Sequence, residues 1–141
     1  MVSGVYRGEL NMKKLFIVGA GGFGREVLWL TRRINENQCL KGKEELWDIS
    51  GFLDNDMTLH GTEKDGYPVL GDCDVLQSFC EEVYVVIAIA STKVRRKVAE
   101  ELSGYSNVRF ATLIDPSVIL SDRVEIGEGC IICAGTIITV D

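Results

Sequence analysis

Apolar and polar residues along the first two thirds of the chain are arranged in segments that predict strands and helices in turn. Continuous apolar runs at residues 14–18 and 83–90 predict strands buried on both faces of a sheet. We place a further strand at residues 48–53, and apolar positions at helical spacing predict helices over residues 25–38 and 93–102. This alternation of strands and helices predicts a parallel sheet with helices on both faces.

A different rhythm begins near residue 108 and continues to the end of the chain. Aliphatic residues recur there every six positions, as Val108, Ile114, Leu120, Ile126, Ile132 and Ile138. A period of six fits neither an α-helix nor a single long strand, but it is typical of the parallel β-helix built from hexapeptides, in which each hexad forms one side of a triangular coil. The predicted fold class is therefore α/β, with a small Rossmann-like parallel-sheet domain over residues 13–107 and the beginning of a parallel β-helix over residues 108–141. Residues 1–12 show no period and are predicted to be a disordered tail.

Composition narrows the classes of function. The 141 residues carry a net charge of −6 and are 46% apolar and 26% charged, as in an ordinary soluble globular protein. The acidic balance and the lack of a long basic run argue against a nucleic-acid partner, and no apolar stretch is long enough to predict a membrane span. Five cysteines, an odd number, indicate reduced thiols, and we predict a cytoplasmic protein with no metal site.

A glycine-rich turn is the first candidate for chemistry. Gly19, Gly21 and Gly24 form the pattern G-x-G-x-x-G directly after a predicted buried strand and at the start of a predicted helix. Glycines let a phosphate approach the backbone closely, and the N-terminus of a helix offers it unpaired N–H groups. The alternative is a tight turn from strand to helix that binds no ligand.

An acidic residue at the end of the second strand is the second candidate. Asp54 follows Gly24 by 30 residues and falls at the carboxyl edge of the predicted sheet, beside the glycine turn. Its carboxylate could accept a hydrogen bond from a ribose hydroxyl or a base N–H. Alternatively, it is a strand-end carboxylate that hydrogen-bonds only to its own turn.

Five segments together resemble one enzyme family. They are KKLFIVGAGGFGREV, SGFLDND, GYPVLGD, VVIAIASTKVRRKV and ATLIDPSVILSDRVEIGEGCIICAGTIIT. In this order, over residues 13–141, they resemble the sialic-acid and bacillosamine acetyltransferases, which are nucleotide-sugar O- or N-acetyltransferases of capsule and glycan synthesis. The resemblance implies a domain that binds a nucleotide sugar, usually a uridine-diphosphate sugar, and a left-handed β-helix that forms trimers and binds acetyl-CoA between neighbouring subunits.

The resemblance also implies roles for particular residues. The phosphate turn would comprise Gly19, Gly21, Gly22 and Gly24, and Asp54 with Asn55 would contact the uridine or ribose. Phe23 stands where many members have a polar residue, often histidine. Ser91 and Thr92 take the place of a glycine-asparagine pair and could donate to phosphate. Arg95 and Arg96 are expected either near that phosphate or on a solvated helix face.

The same resemblance places the catalytic histidine and the acetyl-CoA site in later coils, beyond residue 141. We therefore expect no catalytic residue and no bound cofactor in this chain, with acetyl-CoA as the co-substrate of the intact enzyme. The leading interpretation is the part of a sugar acetyltransferase that binds the UDP-sugar, in a homo-oligomer that is a trimer in the intact family. Two alternatives remain: a non-catalytic module for nucleotide binding or oligomerisation, and a Rossmann domain that binds NAD or CoA.

Overall fold

The central feature of the fold is a six-stranded sheet around the first strand. The computed structural model of the protein describes residues 12–140, so the predicted disordered tail lies, except for Met12, outside the described residues. The sheet strands are β1 (Lys13–Val18), β2 (Trp47–Leu53), β3 (Glu63–Lys64), β4 (Tyr67–Gly71), β5 (Val83–Ile87) and β6 (Val108–Phe110). Their spatial order is β3-β4-β2-β1-β5-β6, and every pair is parallel except β3 with β4.

Two helices cover opposite faces of this sheet. Helix α1 (Gly22–Leu40) packs on the face that contains Leu15 and Ile17, and α2 (Thr92–Ser103) packs on the face that contains Phe16 and Val18. Alternate residues of β1 thus enter opposite cores, as the period of a strand requires, and three of these four side chains are completely buried. The chain runs from β1 through α1 to β2 on one side and reaches β5 on the other, so the order of the strands reverses at β1.

The hexad region forms a coil of paired short strands. Its strands are β7 (Leu113–Ile114), β8 (Ile119–Leu120), β9 (Ile131–Ile132) and β10 (Ile137–Ile138). Strand β7 pairs in parallel with β9 and β8 with β10, so each residue faces the one 18 positions later. Three hexads therefore complete one turn, as a triangular coil requires. This confirms the predicted fold class of a parallel-sheet domain followed by a β-helix.

The larger differences between the structure and the predicted boundaries concern β6, α1 and β5. The first hexad aliphatic, Val108, lies in β6 and pairs with Val83 of the sheet, so the sheet continues past the predicted boundary at residue 107. Helix α1 begins at Gly22 rather than residue 25, and β5 ends at Ile87 rather than residue 90. The hexad spacing includes Val108 because β6 leads straight into the coil. A side chain buried at the edge of a sheet is as apolar as one inside a coil, so the pattern alone does not separate the two.

The coil and the sheet share one core. Ala111 and Leu113 are fully buried in the α1-side cluster, together with residues of β1 and α1. No helix within residues 12–140 has both the length and the apolar character needed to cross a membrane. All five cysteines are free thiols.

An ion pair between the partly exposed Arg33 and a buried carboxylate joins the coil to α1. Arg33 of α1 donates from Nε to Oδ2 of Asp115 at 2.6 Å and from its terminal nitrogen Nη2 to Oδ1 at 3.1 Å, and the Asp115 side chain has no solvent exposure. Ser117 donates to the same Oδ1 from its backbone N and its Oγ, and that Oγ accepts from the backbone N of Gly135, one turn of the coil later. The pair thus reaches two successive turns of the coil.

These contacts predict a specific loss of stability in acid. The hydrogen bonds from Arg33 lower the pKa of Asp115 from its ordinary value to about 2. A carboxyl whose pKa is lowered on folding stabilises the folded state above its unfolded pKa, and the contribution disappears as the pH falls through the folded pKa. The contribution at neutral pH is about 2 kcal/mol. Asp115→Asn should therefore lower the free energy of unfolding by at least about that amount near pH 7, and the difference from the parent protein should shrink between about pH 4 and about pH 2.

Urea unfolding of the two proteins across this pH range tests the prediction. Asp122→Asn, the same change at an exposed position of the coil, is the matched control and should follow the parent at every pH. A difference between parent and Asp115→Asn that stayed constant down to the lowest pH would contradict the role of the charged carboxylate.

Candidate functional site

The glycine turn connects β1 to α1 with very little space between them. Gly19 has a φ of +110°, which glycine adopts readily, and a Cβ there would lie 2.6 Å from the carbonyl oxygen of Ala88. A Cβ on Gly24 would overlap the carbonyl oxygen of Gly19. The first and last glycines of the motif are therefore required by the packing of the turn itself.

The middle glycines have a different environment. A Cβ on Gly21 or Gly22 would meet no atom within 4 Å, and both residues are exposed. Gly21 is the N-cap of α1, and no side chain hydrogen-bonds to this end of the helix. Because the first N–H groups of a helix have no acceptor within it, this end presents unpaired donors and the positive end of the helix dipole to an open space. The geometry suits an anion such as a phosphate.

Asp54 is hydrogen-bonded to the turn. Its Oδ2 accepts from the backbone N of Ala20 at 3.0 Å, its Oδ1 accepts from the backbone N of Asp56 at 2.9 Å, and Nε2 of His60 lies 2.7 Å from its carbonyl oxygen. The residue therefore has the turn-forming role that the sequence left open. Each carboxylate oxygen can accept a second hydrogen bond, so a ligand contact at Asp54 remains a prediction.

A crevice of about 640 Å³ opens beside this turn, at the carboxyl ends of β1 and β2. Its far side is formed by a 3₁₀ helix at Cys73–Ser78, which follows β4, and by one face of α2. Its apolar lining consists of Val18, Leu53, Ile89, Val94 and Val98, and its acidic lining of Asp54, Asp72, Asp74 and Glu101. Lys97 is the one basic residue in the lining. A ligand at the switch point of a parallel sheet binds in this location.

The pKa of the Cys73 thiol is affected by the negative charge of this crevice. Burial, together with the negative charges of Glu101, Asp72, Asp74 and Asp54, raises its pKa to about 11. The thiol is therefore protonated and unreactive at neutral pH, since the thiolate is the nucleophile. Within residues 12–140 no three acidic, histidine or cysteine side chains come close enough to hold a metal ion.

The structure brings some of the predicted site residues together and separates others. Gly19, Asp54 and Asn55 all line the crevice, and Gly21 and Gly22 lie at the open end of α1. Phe23 is half-buried and packs against the α1-side core. The following two residues are outside the crevice lining: Ser91 caps α2 by accepting from the backbone N of Val94, and Thr92 is the exposed first residue of that helix.

Arg95 has a structural role at the edge of the site. It donates to the carbonyl oxygen of Ile87 at 2.8 Å and to that of Gly129 at 2.9 Å. Its guanidinium therefore connects α2, the carboxyl end of β5 and the coil. Because both of its terminal nitrogens bind backbone carbonyls, Arg95 does not lie on a freely solvated helix face, and a phosphate contact there stays a prediction.

Sequence reasoning missed the far side of the crevice. Asp72 is the N-cap of the 3₁₀ helix and accepts from the backbone N of Asp74, and nothing in the local sequence places either carboxylate near the glycine turn. For the residues of α2, the available signal in the sequence was their spacing, because positions 94, 97, 98 and 101 share one face of a helix. That face could not be oriented until the packing of α2 on the sheet was known.

Comparisons with known proteins agree with this fold. Residues 14–102 match the family model described as the PglD N-terminal domain. The chain belongs to this family. The resemblance drawn from the sequence motifs is thereby confirmed, since the matched region contains the glycine turn, Asp54 and the crevice.

Two curated relatives are similar over most of the chain. The UDP-N-acetylbacillosamine N-acetyltransferase of Bacillus subtilis (strain 168) is 32% identical over 125 residues, which cover 87% of this chain and 52% of the relative. The GDP-perosamine N-acetyltransferase of Escherichia coli O157:H7 is 30% identical over 116 residues, which cover 82% of this chain and 49% of the relative. The chain thus spans about half the length of these curated relatives.

Solved structures support the fold alone, because their sequence identity is low. PerB from Caulobacter crescentus, in complex with CoA and GDP-perosamine, aligns with a TM-score of 0.71 at 24% identity, over 91% of this chain and 55% of that chain. The acetyltransferase domain of PglB from Neisseria gonorrhoeae, in complex with acetyl coenzyme A, aligns with a TM-score of 0.64 at 24% identity, over 92% of this chain and 60% of that chain.

The two kinds of glycine in the turn predict opposite effects of one substitution. Gly24→Ala places a methyl group against a backbone carbonyl that cannot move without shifting α1, so the free energy of unfolding should fall by at least about 2 kcal/mol. Gly22→Ala, two residues earlier in the same helix, meets open space and should be neutral or slightly stabilising. Urea unfolding measures both variants, and equal effects at the two positions would contradict the close contact at Gly24.

Proposed function

We propose that this chain is the sugar-nucleotide-binding part of a sugar N-acetyltransferase, and that it binds a nucleoside diphosphate sugar. The observation that carries this proposal is the open N-terminus of α1 at Gly21 and Gly22, which faces free space beside a crevice at the switch point of the sheet. An anion site next to a crevice with apolar walls suits a ligand that has phosphates at one end and a ring system at the other.

The residues divide into three roles in this proposal. Gly19 and Gly24 shape the turn, and the backbone N–H groups near Gly21 and Gly22 bind the diphosphate. Asp54 holds the turn through Ala20 and, with the exposed Asn55, contacts the ribose. Ser91 and Thr92 remain predicted phosphate donors, although they lie outside the crevice lining.

The relatives motivate the rest of the reaction. Both curated relatives are named N-acetyltransferases of nucleotide sugars, one with UDP and one with GDP, and the two aligned structures contain CoA or acetyl-CoA. In the proposed reaction, acetyl-CoA supplies the acetyl group to an amine of the sugar. We assign no step of this transfer to the described residues, because His60, the chain's one histidine, belongs to the loop after β2 and lies against the Asp54 carbonyl.

An assembly role of the coil is the second candidate. Ile119 and Ile137 pair between successive turns of the coil, and both are about 60% exposed, so the coil presents apolar surface to solvent. We propose that the nucleotide-sugar-binding protein also associates through this surface, as a trimer in the cytoplasm. An assembly module without a ligand would keep the apolar surface and lack affinity for nucleotides.

Calorimetric titration of the chain with UDP, GDP, NAD and acetyl-CoA, each separately, tests the proposal. We expect UDP or GDP to bind, and Gly21→Ala to weaken that binding by about tenfold or more, because a Cβ would occupy the space that the phosphate needs. Gly127→Ala adds the same methyl group at an open position of the coil and should leave binding unchanged. Binding of NAD alone, or binding that is indifferent to Gly21→Ala, would contradict the proposal, and silence from all four ligands would favour the assembly module.

A further inference from the structure

The crevice beside the glycine turn has hydrogen-bond acceptors on its far side. Asp72 and Asp74 approach from the 3₁₀ helix, and Glu101 approaches from α2. The phenolic oxygen of Tyr105 lies 3.2 Å from Oδ1 of Asp74 and 3.4 Å from Oε1 of Glu101, so these two carboxylates meet at one tyrosine hydroxyl. The far side therefore has a fixed acidic edge.

One oxygen of each of these carboxylates is available to a ligand. Oδ1 of Asp72 accepts from the backbone N of Asp74, and the contacts of Asp74 and Glu101 with Tyr105 use Oδ1 and Oε1. Within residues 12–140 the second oxygen of each carboxylate has no protein donor. An ionised carboxylate only accepts hydrogen bonds, so this edge calls for a ligand that donates.

The walls next to this edge suit a flat ring. Val94 and Val98 of α2 face the crevice together with Leu53 and Ile89, and Val94 is 45% exposed although it lies on the inner side of its helix. The spacing of positions 94, 97, 98 and 101 puts the two valines, Lys97 and Glu101 on the same face of α2. A base that stacks against the valines would present its edge to the carboxylates.

The nucleobases differ in what they would present there. The Watson–Crick edge of uracil has one N–H between two carbonyl oxygens, and those oxygens would face the negative oxygens of the acidic edge. Guanine has a ring N–H beside an exocyclic amino group, and these two adjacent donors match the available oxygens of two neighbouring carboxylates, Asp74 and Glu101. Charge-assisted contacts of this kind are among the stronger hydrogen-bonded interactions in proteins.

We infer that the crevice selects guanine, so that the bound substrate is a guanosine-diphosphate sugar, with Asp74 and Glu101 as the residues that determine base specificity. This inference rests on the proposed function and replaces uridine, the base implied by the family resemblance. The raised pKa of Cys73 supports it, because it reports four carboxylates around one space and therefore a crevice that repels acceptor-rich ligands.

Titration of the intact chain with three diphosphates tests the base. Guanosine diphosphate should bind most tightly, and inosine diphosphate, which lacks only the exocyclic amino group, should bind about tenfold more weakly. Uridine diphosphate should bind more weakly still. Equal or tighter binding of uridine diphosphate would overturn the inference but leave the proposed function intact, whereas no binding of any of the three would overturn both.

Variants on α2 identify the residue responsible. Glu101→Ala should lower the affinity for guanosine diphosphate by about tenfold, raise that for uridine diphosphate slightly by removing a repelling carboxylate, and reduce the preference for guanosine over inosine diphosphate. Glu100→Ala changes the neighbouring exposed glutamate, which is outside the crevice lining, and should change none of these values. Asp74→Asn provides the same test from the 3₁₀ helix. If neither Glu101→Ala nor Asp74→Asn altered the ratio of the guanosine to the inosine affinity, the two carboxylates would not be the acceptors, and the inference would fail.

Discussion

The close contact of α1 with the end of β1 is the constraint on which the site depends. Because Gly24 has no side chain, the first turn of α1 lies directly against the Gly19 carbonyl, and the helix begins almost where the strand ends. That proximity places the unpaired N–H groups of the helix over the carboxyl edge of the sheet. It also brings the Ala20 amide within reach of Asp54, so that the second strand helps to hold the turn. The position of the open helix end beside the crevice thus depends on the absence of a side chain at Gly24.

A second constraint joins this site to the coil. Arg33 reaches the coil from α1 on one face of the sheet, and Arg95 reaches it from α2 on the other. The two contacts differ in chemistry, since Arg33 neutralises a buried carboxylate while Arg95 binds two backbone carbonyls. The glycine turn leads into α1, and α2 lines the crevice. Each helix is therefore held against the coil by short hydrogen bonds, and α1 also shares the core around Leu113 with it.

The fold class could be predicted well from the sequence because two of its patterns are clear. The apolar runs of β1 and β5 and the six-residue spacing of the coil each have one simple structural meaning, and both were found. The boundary between the two modules is harder to place from sequence, because Val108 satisfies the coil period while pairing with the sheet. Within the site, the glycine turn was predicted from local spacing alone. Asp74, Lys97 and Glu101 were not, since they come from separate segments and meet only through tertiary packing.

The distribution of charge around the site determines how a nucleotide could lie in it. Four carboxylates line the crevice against the single ammonium group of Lys97, so a phosphate placed deep inside would meet repulsion in a partly desolvated space. The N-terminus of α1, by contrast, attracts anions and has no acidic residue in its first turn. A nucleoside diphosphate that binds as proposed must therefore have its phosphates at the helix end and its neutral base in the crevice. At first the acidic lining argues against a nucleotide. In this arrangement, however, it excludes the reversed orientation, in which the phosphates would enter the crevice. The base is then the group that must donate hydrogen bonds to the acidic lining.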